Sequence, residues 1–187
     1  MKIALLIIDM QNDFVQKEGV LCVEGAYSTI PLVKKLLDFA RNKSWNVIHV
    51  IREHDKYGIN VDKTRRHLFE NGKKGYCVAG TFGAQIIDEL KPIENEIVLK
   101  KSRNSAFFGT NLNLLLKRLG VEKVIVAGTQ YPNCIRATAN DAMSFDYDVT
   151  VVTDCCSAKT KEVEFSNIYD LKNLGIECVP LSFLMEK

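Results

Sequence analysis

Short runs of uninterrupted apolar residues recur along this chain, and helical patterns separate them. Ile3 to Ile8 is apolar at every position, Val47 to Ile51 is broken only by His49, and Val124 to Ala127 is again continuous. A strand with one wet face alternates polar and apolar residues. A strand apolar throughout is buried on both faces, as in a parallel sheet covered by helices. Ile97–Leu99, Asp148–Thr153 and Ile176–Val179 read as further strands. Between them, Ile30, Val33, Leu36, Leu37 and Ala40 share one helical face. Leu112, Leu115, Leu116 and Leu119 fall at i, i+3, i+4 and i+7, and Gly120 ends that helix. Ile135–Phe145 reads as a helix, and Phe165, Ile168, Leu171 and Leu174 are assigned to one face of a last helix that stops at Gly175. Alternating β and α elements predict an α/β fold, a Rossmann-like three-layer α-β-α sandwich around a mostly parallel sheet of about six strands.

The 187 residues suit one domain, residues 1–187. One stretch breaks the alternation: strand signals vanish over about 52–82, which holds Gly58, Gly72, Gly75, Gly80 and seven basic residues. Structureless excursions of this length are uncommon and often functional, and two readings stand side by side: a solvated, partly helical excursion, and a lid or subunit contact. Net charge is +2, too balanced for a nucleic-acid binder. The first apolar run is far shorter than the roughly 20 residues that span a bilayer, and no signal-peptide cleavage region follows it. The six cysteines show no CxxC pair and no regular spacing, which argues against a disulfide framework or a zinc site and for a reducing, cytoplasmic setting.

In open α/β sheets, ligands bind beyond the carboxyl ends of the strands. Asp9 follows the first strand. Lys100 and Lys101 follow the third. After the fourth stands Gly128-Thr-Gln-Tyr-Pro-Asn-Cys134, and then a helix. A carboxylate, an ammonium and a thiol on one sheet edge suit covalent catalysis. The carboxylate takes the thiol proton, the cation favours the thiolate, and a helix N-terminus adds positive potential. Such surroundings bring a cysteine pKa from ~8.5 to about 3.5–7.5.

Asp9-Met-Gln-Asn-Asp-Phe14 resembles the opening motif of isochorismatase-like cysteine hydrolases. That family includes nicotinamidases, N-carbamoylsarcosine amidases, ureidoacrylate amidohydrolases and isochorismatases. Lys101-Ser-Arg-Asn-Ser-Ala-Phe107 is similar to its lysine motif. Gly128 to Cys134, with Arg136, Thr138, Asp141-Ala142 and Tyr147-Asp148-Val149, is similar to its nucleophile motif, and Val78 to Ala84 resembles a further stretch. The resemblance runs from about residue 3 to 180, with its motifs in order. It implies that Cys134 is the nucleophile, Asp9 the general base and Lys101 the cation that holds the thiolate. It implies an oxyanion hole made of the backbone amides of Gln130 and Cys134, beside a cis peptide at Thr129–Gln130. It implies a hydrolase cleaving an amide or ureido C–N bond of a small molecule through a thioester, without a cofactor, in a dimer or tetramer. The alternatives are a vinyl-ether hydrolase of the isochorismatase type and a catalytically silent binding protein on the same fold.

Metal-binding nicotinamidases carry Asp-x-His after the second strand, where this chain reads Arg52-Glu53-His54. A guanidinium has no lone pair to donate, so no metal is expected. Phe14, Arg52, His54, Phe107 and Tyr131 are candidate substrate contacts: rings to stack on a planar amide, and a guanidinium to fork onto a carboxylate.

Overall fold

The computed structural model describes residues 1–186. Six strands, β1 (Ile3–Ile8), β2 (Asn46–Arg52), β3 (Ile97–Lys101), β4 (Lys123–Thr129), β5 (Asp148–Ser157) and β6 (Glu177–Val179), form one sheet in the order β3-β2-β1-β4-β5-β6. Every neighbouring pair is parallel. The continuous apolar runs are explained by the two cores. Ala4, Leu6 and Ile8 of β1 point into one, and Leu5 and Ile7 into the other. Helices α3 (Leu112–Leu119), α4 (Arg136–Ser144) and α5 (Lys161–Asn173) cover the first face. Helices α2 (Ala26–Asn42) and α6 (Leu181–Met185) cover the second. The three-layer sandwich is as the sequence predicts.

Three details differ. A four-residue helix, α1 (Asn12–Val15), follows β1, and α6 closes the chain; both are too short to carry a periodic signal. β5 runs four residues past Thr153, to Ser157. On α5 the buried positions are Asn167 and Leu171, with Val163 and Ile168 packed alongside, whereas Phe165 and Leu174 are exposed. Steps of three residues drift by about 60° each in a helix of 3.6 residues per turn, so positions 165 and 174 cannot share a face.

The excursion after β2 is tied down by the first motif. Gln11 Nε2 donates to the carbonyls of Arg52 (2.8 Å) and Ala84 (2.7 Å), and Gln11 Oε1 accepts from the Arg52 amide (2.7 Å). Asn12 Nδ2 donates to the Phe82 carbonyl (2.8 Å), and Asp13 Oδ2 accepts from the Cys77 amide (2.6 Å). Phe14, Val61, Tyr76, Cys77 and Ala84 then make a small core of their own, with Phe69 packed against it. The polar residues after Asp9 therefore serve as a clamp.

The chain reverses its direction of travel across the sheet between β1 and β4, which are hydrogen-bonded neighbours. Gly128 sits at that seam with φ +119°, where β4 slips register. A Cβ there would lie 2.1 Å from the Ile8 carbonyl oxygen. Gly128→Ala is expected to lower stability by about 3 kcal/mol or more, read from the midpoint of urea unfolding. An unchanged midpoint would mean that the two strands part freely at this point.

Candidate active site

The carboxyl ends of β3, β2, β1 and β4 stand side by side at this switch in strand order, where open α/β sheets hold their ligands. Each end delivers one group: Lys101 from β3, Arg52 from β2, Asp9 just past β1, and Cys134 in the turn after β4. All four are buried. Lys101 lies two strands from β1, roughly 10 Å at the usual spacing, and its long side chain bridges the gap. Its Nζ donates to Asp9 Oδ2 (2.8 Å), to the Arg103 carbonyl (3.1 Å) and to Cys134 Sγ (3.4 Å). Asp9 has left-handed backbone, φ 53°, which lets the chain leave β1 sharply. Its Oδ1 is buried and accepts no hydrogen bond from the described residues.

Arg52 completes the ring around the sulfur. Its Nη2 donates to Cys134 Sγ (3.3 Å) and Asn104 Oδ1 (3.0 Å), and its Nη1 to the Ser102 carbonyl (3.2 Å) and, at 3.5 Å, Asp62 Oδ2. Burial is the largest single influence and works against its charge, but the neighbouring acidic groups Cys134, Asp9 and Tyr76 and the hydrogen bond to Cys134 together raise its pKa. Cys134 sits in a five-residue π turn, Tyr131–Ile135, entered through a cis Thr129–Gln130 peptide and leading into α4.

The thiol corrects one expectation. Burial, and next the Asp9 carboxylate, push Cys134 above the ordinary cysteine range, and Lys101 and Arg52 oppose this without cancelling it. The resting group is a neutral thiol beside a base, where the residue pattern alone suggests a preformed thiolate.

A cavity of about 220 Å³ opens onto these groups, lined by Asp9, Phe14, Leu21, Cys22, Val23, Arg52, Arg65, Thr129, Gln130, Asn133, Cys134 and Lys159. It is smaller than the roughly 300–1,000 Å³ of sites for drug-sized ligands, so it suits a small molecule. Phe14 and Arg52 are thus on the cleft wall. His54, Phe107 and Tyr131 are not. The Tyr131 hydroxyl donates to the Thr153 carbonyl (3.0 Å), and the whole side chain is buried in the core, because the π turn swings it toward β5. Phe107 stacks on Phe145 and Tyr147, with ring centroids 5.4 and 6.3 Å away. Ser105 and Ala106, hydrogen-bonded to Asp141 and Thr138 of α4, turn it that way. His54 lies two residues past β2, edge-on to Tyr76 (4.8 Å) and Phe69 (5.7 Å). Burial, then the Arg52 charge, lower its pKa to about 4, so it is neutral at pH 7.

Asn104 and Lys159 are additions. Asn104 lies inside the lysine motif. Lys159 follows the true end of β5, so a search beyond each strand end finds it once that strand is taken to Ser157. A divalent ion does not fit this donor set. Arg52 fills the place of the expected carboxylate and is turned onto the sulfur, and among the described residues no three His, Cys, Asp or Glu side chains gather as ligands. His49 is engaged with Glu96 (2.9 Å) inside the sheet.

Residues 3–181 match the isochorismatase domain model, and the chain belongs to the isochorismatase family. An isochorismatase family protein from Desulfovibrio vulgaris, solved by crystallography, is 53% identical with a TM-score of 0.97, over 99% of this chain and 97% of that one. A protein of Arabidopsis thaliana named as a probable inactive nicotinamidase is 45% identical over 93% of this chain and 90% of its own length. A ureidoacrylate amidohydrolase from Agrobacterium fabrum is 29% identical over 81% of this chain and 74% of its own.

Because its pKa is raised, Cys134 gains thiolate only as pH climbs past the ordinary cysteine range. Iodoacetamide should label it slowly at pH 7 and faster as pH rises beyond the ordinary cysteine range, followed by peptide mass spectrometry. Asp9→Asn, which removes one raising charge, should move the profile to lower pH. Complete, rapid labelling of the wild type near pH 6 would overturn the neutral-thiol assignment.

Proposed function

We propose that the protein is a cysteine-dependent amidohydrolase that cleaves the C–N bond of a small amide or ureido compound through a thioester. The observation that carries this reading is the Lys101 ammonium bonded at once to Asp9 and to the Cys134 sulfur in a buried cleft.

The Cys134 proton passes to Asp9 as the sulfur attacks the carbonyl carbon. The thiolate that forms in passing is stabilised by Lys101 and Arg52, each within hydrogen-bonding reach of the sulfur. A charge stabilised only as the reaction proceeds lowers the barrier, whereas one stabilised at rest does not. The carbonyl oxygen takes up negative charge against the amides of Gln130 and Cys134, and loss of one such donor costs ~2.7–4 kcal/mol of barrier. The C–N bond then breaks, Asp9 returns the proton to the leaving nitrogen, and a thioester remains. Asp9 next takes a proton from water, hydroxide attacks the thioester carbon, the C–S bond breaks, and Asp9 returns the proton to the departing sulfur, which releases the acid and restores the thiol. No step requires a metal.

A catalytically silent binding protein is the second reading, prompted by the 45% identical relative named as probably inactive. Homo-oligomeric assembly and a cytoplasmic location also belong to this proposal. They rest on the family resemblance and on six cysteines that are all unpaired. Among the described residues no helix is long and apolar enough to cross a membrane.

Ammonia release across a panel of small primary amides and ureido compounds is the direct test. On a substrate so found, Cys134→Ala should lose at least about 10³-fold in kcat, and Asp9→Asn about 10²–10⁴-fold, both with unaltered circular dichroism. Turnover by Cys134→Ala at the wild-type rate would exclude the thioester. A folded wild type inert to the whole panel would favour the silent reading.

A further inference from the structure

Three consecutive residues just past β3 hold both cations that touch the sulfur. The Ser102 carbonyl accepts from Arg52 Nη1 (3.2 Å), the Arg103 carbonyl accepts from Lys101 Nζ (3.1 Å), and Asn104 Oδ1 accepts from Arg52 Nη2 (3.0 Å). Arg52 Nη2 carries two protons, and its second acceptor is Cys134 Sγ at 3.3 Å. Asn104 Oδ1 itself lies 3.9 Å from that sulfur. A guanidinium is a rigid planar fork, so fixing one Nη2 proton on Asn104 aims the other at the sulfur. Asn104 does this without a charge of its own and leaves the cation's field intact.

The other arm of the fork faces a carboxylate. Arg52 Nη1 stands 3.5 Å from Asp62 Oδ2, and Asp62 Oδ1 is 3.4 Å from Arg103 Nε. Asp62 belongs to the 52–82 excursion and is placed by its neighbours. Val61 is buried in the excursion's small core, and the Asn60 carbonyl accepts from Arg103 Nη1. A carboxylate on Nη1 draws the guanidinium away from Cys134 and offsets part of its charge. The remaining ionisable groups around the sulfur are disposed differently. Asp9 and Lys101 are paired with each other at 2.8 Å, and Arg65, Lys159 and Cys22 stand on the cavity wall. His54 is neutral at pH 7 and packs on Tyr76. On the side of the π turn, the Tyr131 hydroxyl is bound to Thr153, Arg136 pairs with Asp170 at 2.9 Å, and Asp141 accepts from Ser105.

We propose that Asn104 and Asp62 are opposed positioning residues: the carboxamide turns the Arg52 guanidinium onto the Cys134 sulfur, the carboxylate draws it toward the excursion, and the balance between them sets the reactivity of the nucleophile. This rests on the amidohydrolase reading for the role of Cys134, whereas the reactivity of the thiol is measured without any substrate. The excursion thereby gains a line to the nucleophile that runs through one shared cation.

The test is the rate at which iodoacetamide labels Cys134 in the full chain between about pH 7 and 10, read on the Cys134 peptide by mass spectrometry. At a given pH on the rising part of the profile, Asn104→Leu should slow labelling at least about threefold, and Asp62→Asn should speed it at least about threefold. Arg52→Gln should slow it at least about tenfold. In the Arg52→Gln background neither of the other substitutions should change the rate by more than about 1.5-fold, since both act through the guanidinium. Should Arg52→Gln lose its native circular dichroism, a crystal structure of Asn104→Leu decides, with the guanidinium expected to swing from the sulfur toward Asp62. Opposite shifts in labelling without hydrolysis of any compound in the ammonia panel would sustain the two positioning roles and refute the reaction. Shifts of one sign, a wild-type profile in either variant, effects that persist in Arg52→Gln, or a guanidinium that stays on the sulfur in Asn104→Leu would overturn the proposal.

Discussion

A lysine ammonium with no exposed surface holds this site together. Lys101 Nζ directs its three protons to Asp9, to the Arg103 carbonyl and to the Cys134 sulfur. Taking an ion out of water costs several kcal/mol even after relaxation, and a buried pair recovers that only with good geometry and further hydrogen bonds. Lys101 meets both conditions; Arg52 beside it is hydrogen-bonded through both terminal nitrogens, while its buried Nε has no partner among the described residues. The arrangement is costly to stability and is sustained by the sheet beneath, whose strands bury apolar side chains on both faces. The two-sided core is what allows four polar groups to be set in a row at one edge.

The same geometry accounts for the state of the thiol. A sulfur ringed by two cations would ionise in water, but this one is buried and lies against a carboxylate, and those effects prevail. Charge compensation is therefore present before charge appears.

Much of the fold and of the central site was legible in the sequence, because both follow from short-range patterns. Continuous apolar runs gave the buried parallel strands, the residues near their ends gave Asp9, Cys134 and the pair Lys100 and Lys101, and the resemblance to the family's lysine motif chose Lys101. The surroundings were less legible. Tyr131 and Phe107 looked like rings for a substrate, but the side a ring takes depends on a π turn and on the Ser105–Asp141 and Ala106–Thr138 hydrogen bonds, between residues more than thirty apart. His54 shares strand parity with Arg52, yet the strand ends at Arg52 and parity no longer applies. Lys159 was hidden by reading β5 four residues short. Phe165 and Leu174 were misplaced by a ladder of threes that an α-helix does not keep.

The Gln11 side chain takes the part of a missing strand residue. Its carbonyl oxygen accepts the Arg52 amide and its amide nitrogen donates to the Arg52 carbonyl, as the backbone of β1 would have done had it continued. This prosthetic rung keeps β2 straight to its last residue while the main chain of β1 departs through the left-handed turn at Asp9. The pairing has a definite reach. An asparagine would fall one methylene short, and β2 would fray at the residue whose guanidinium touches the nucleophile. One carboxamide thus sets the alignment of the strand end from which the excursion departs.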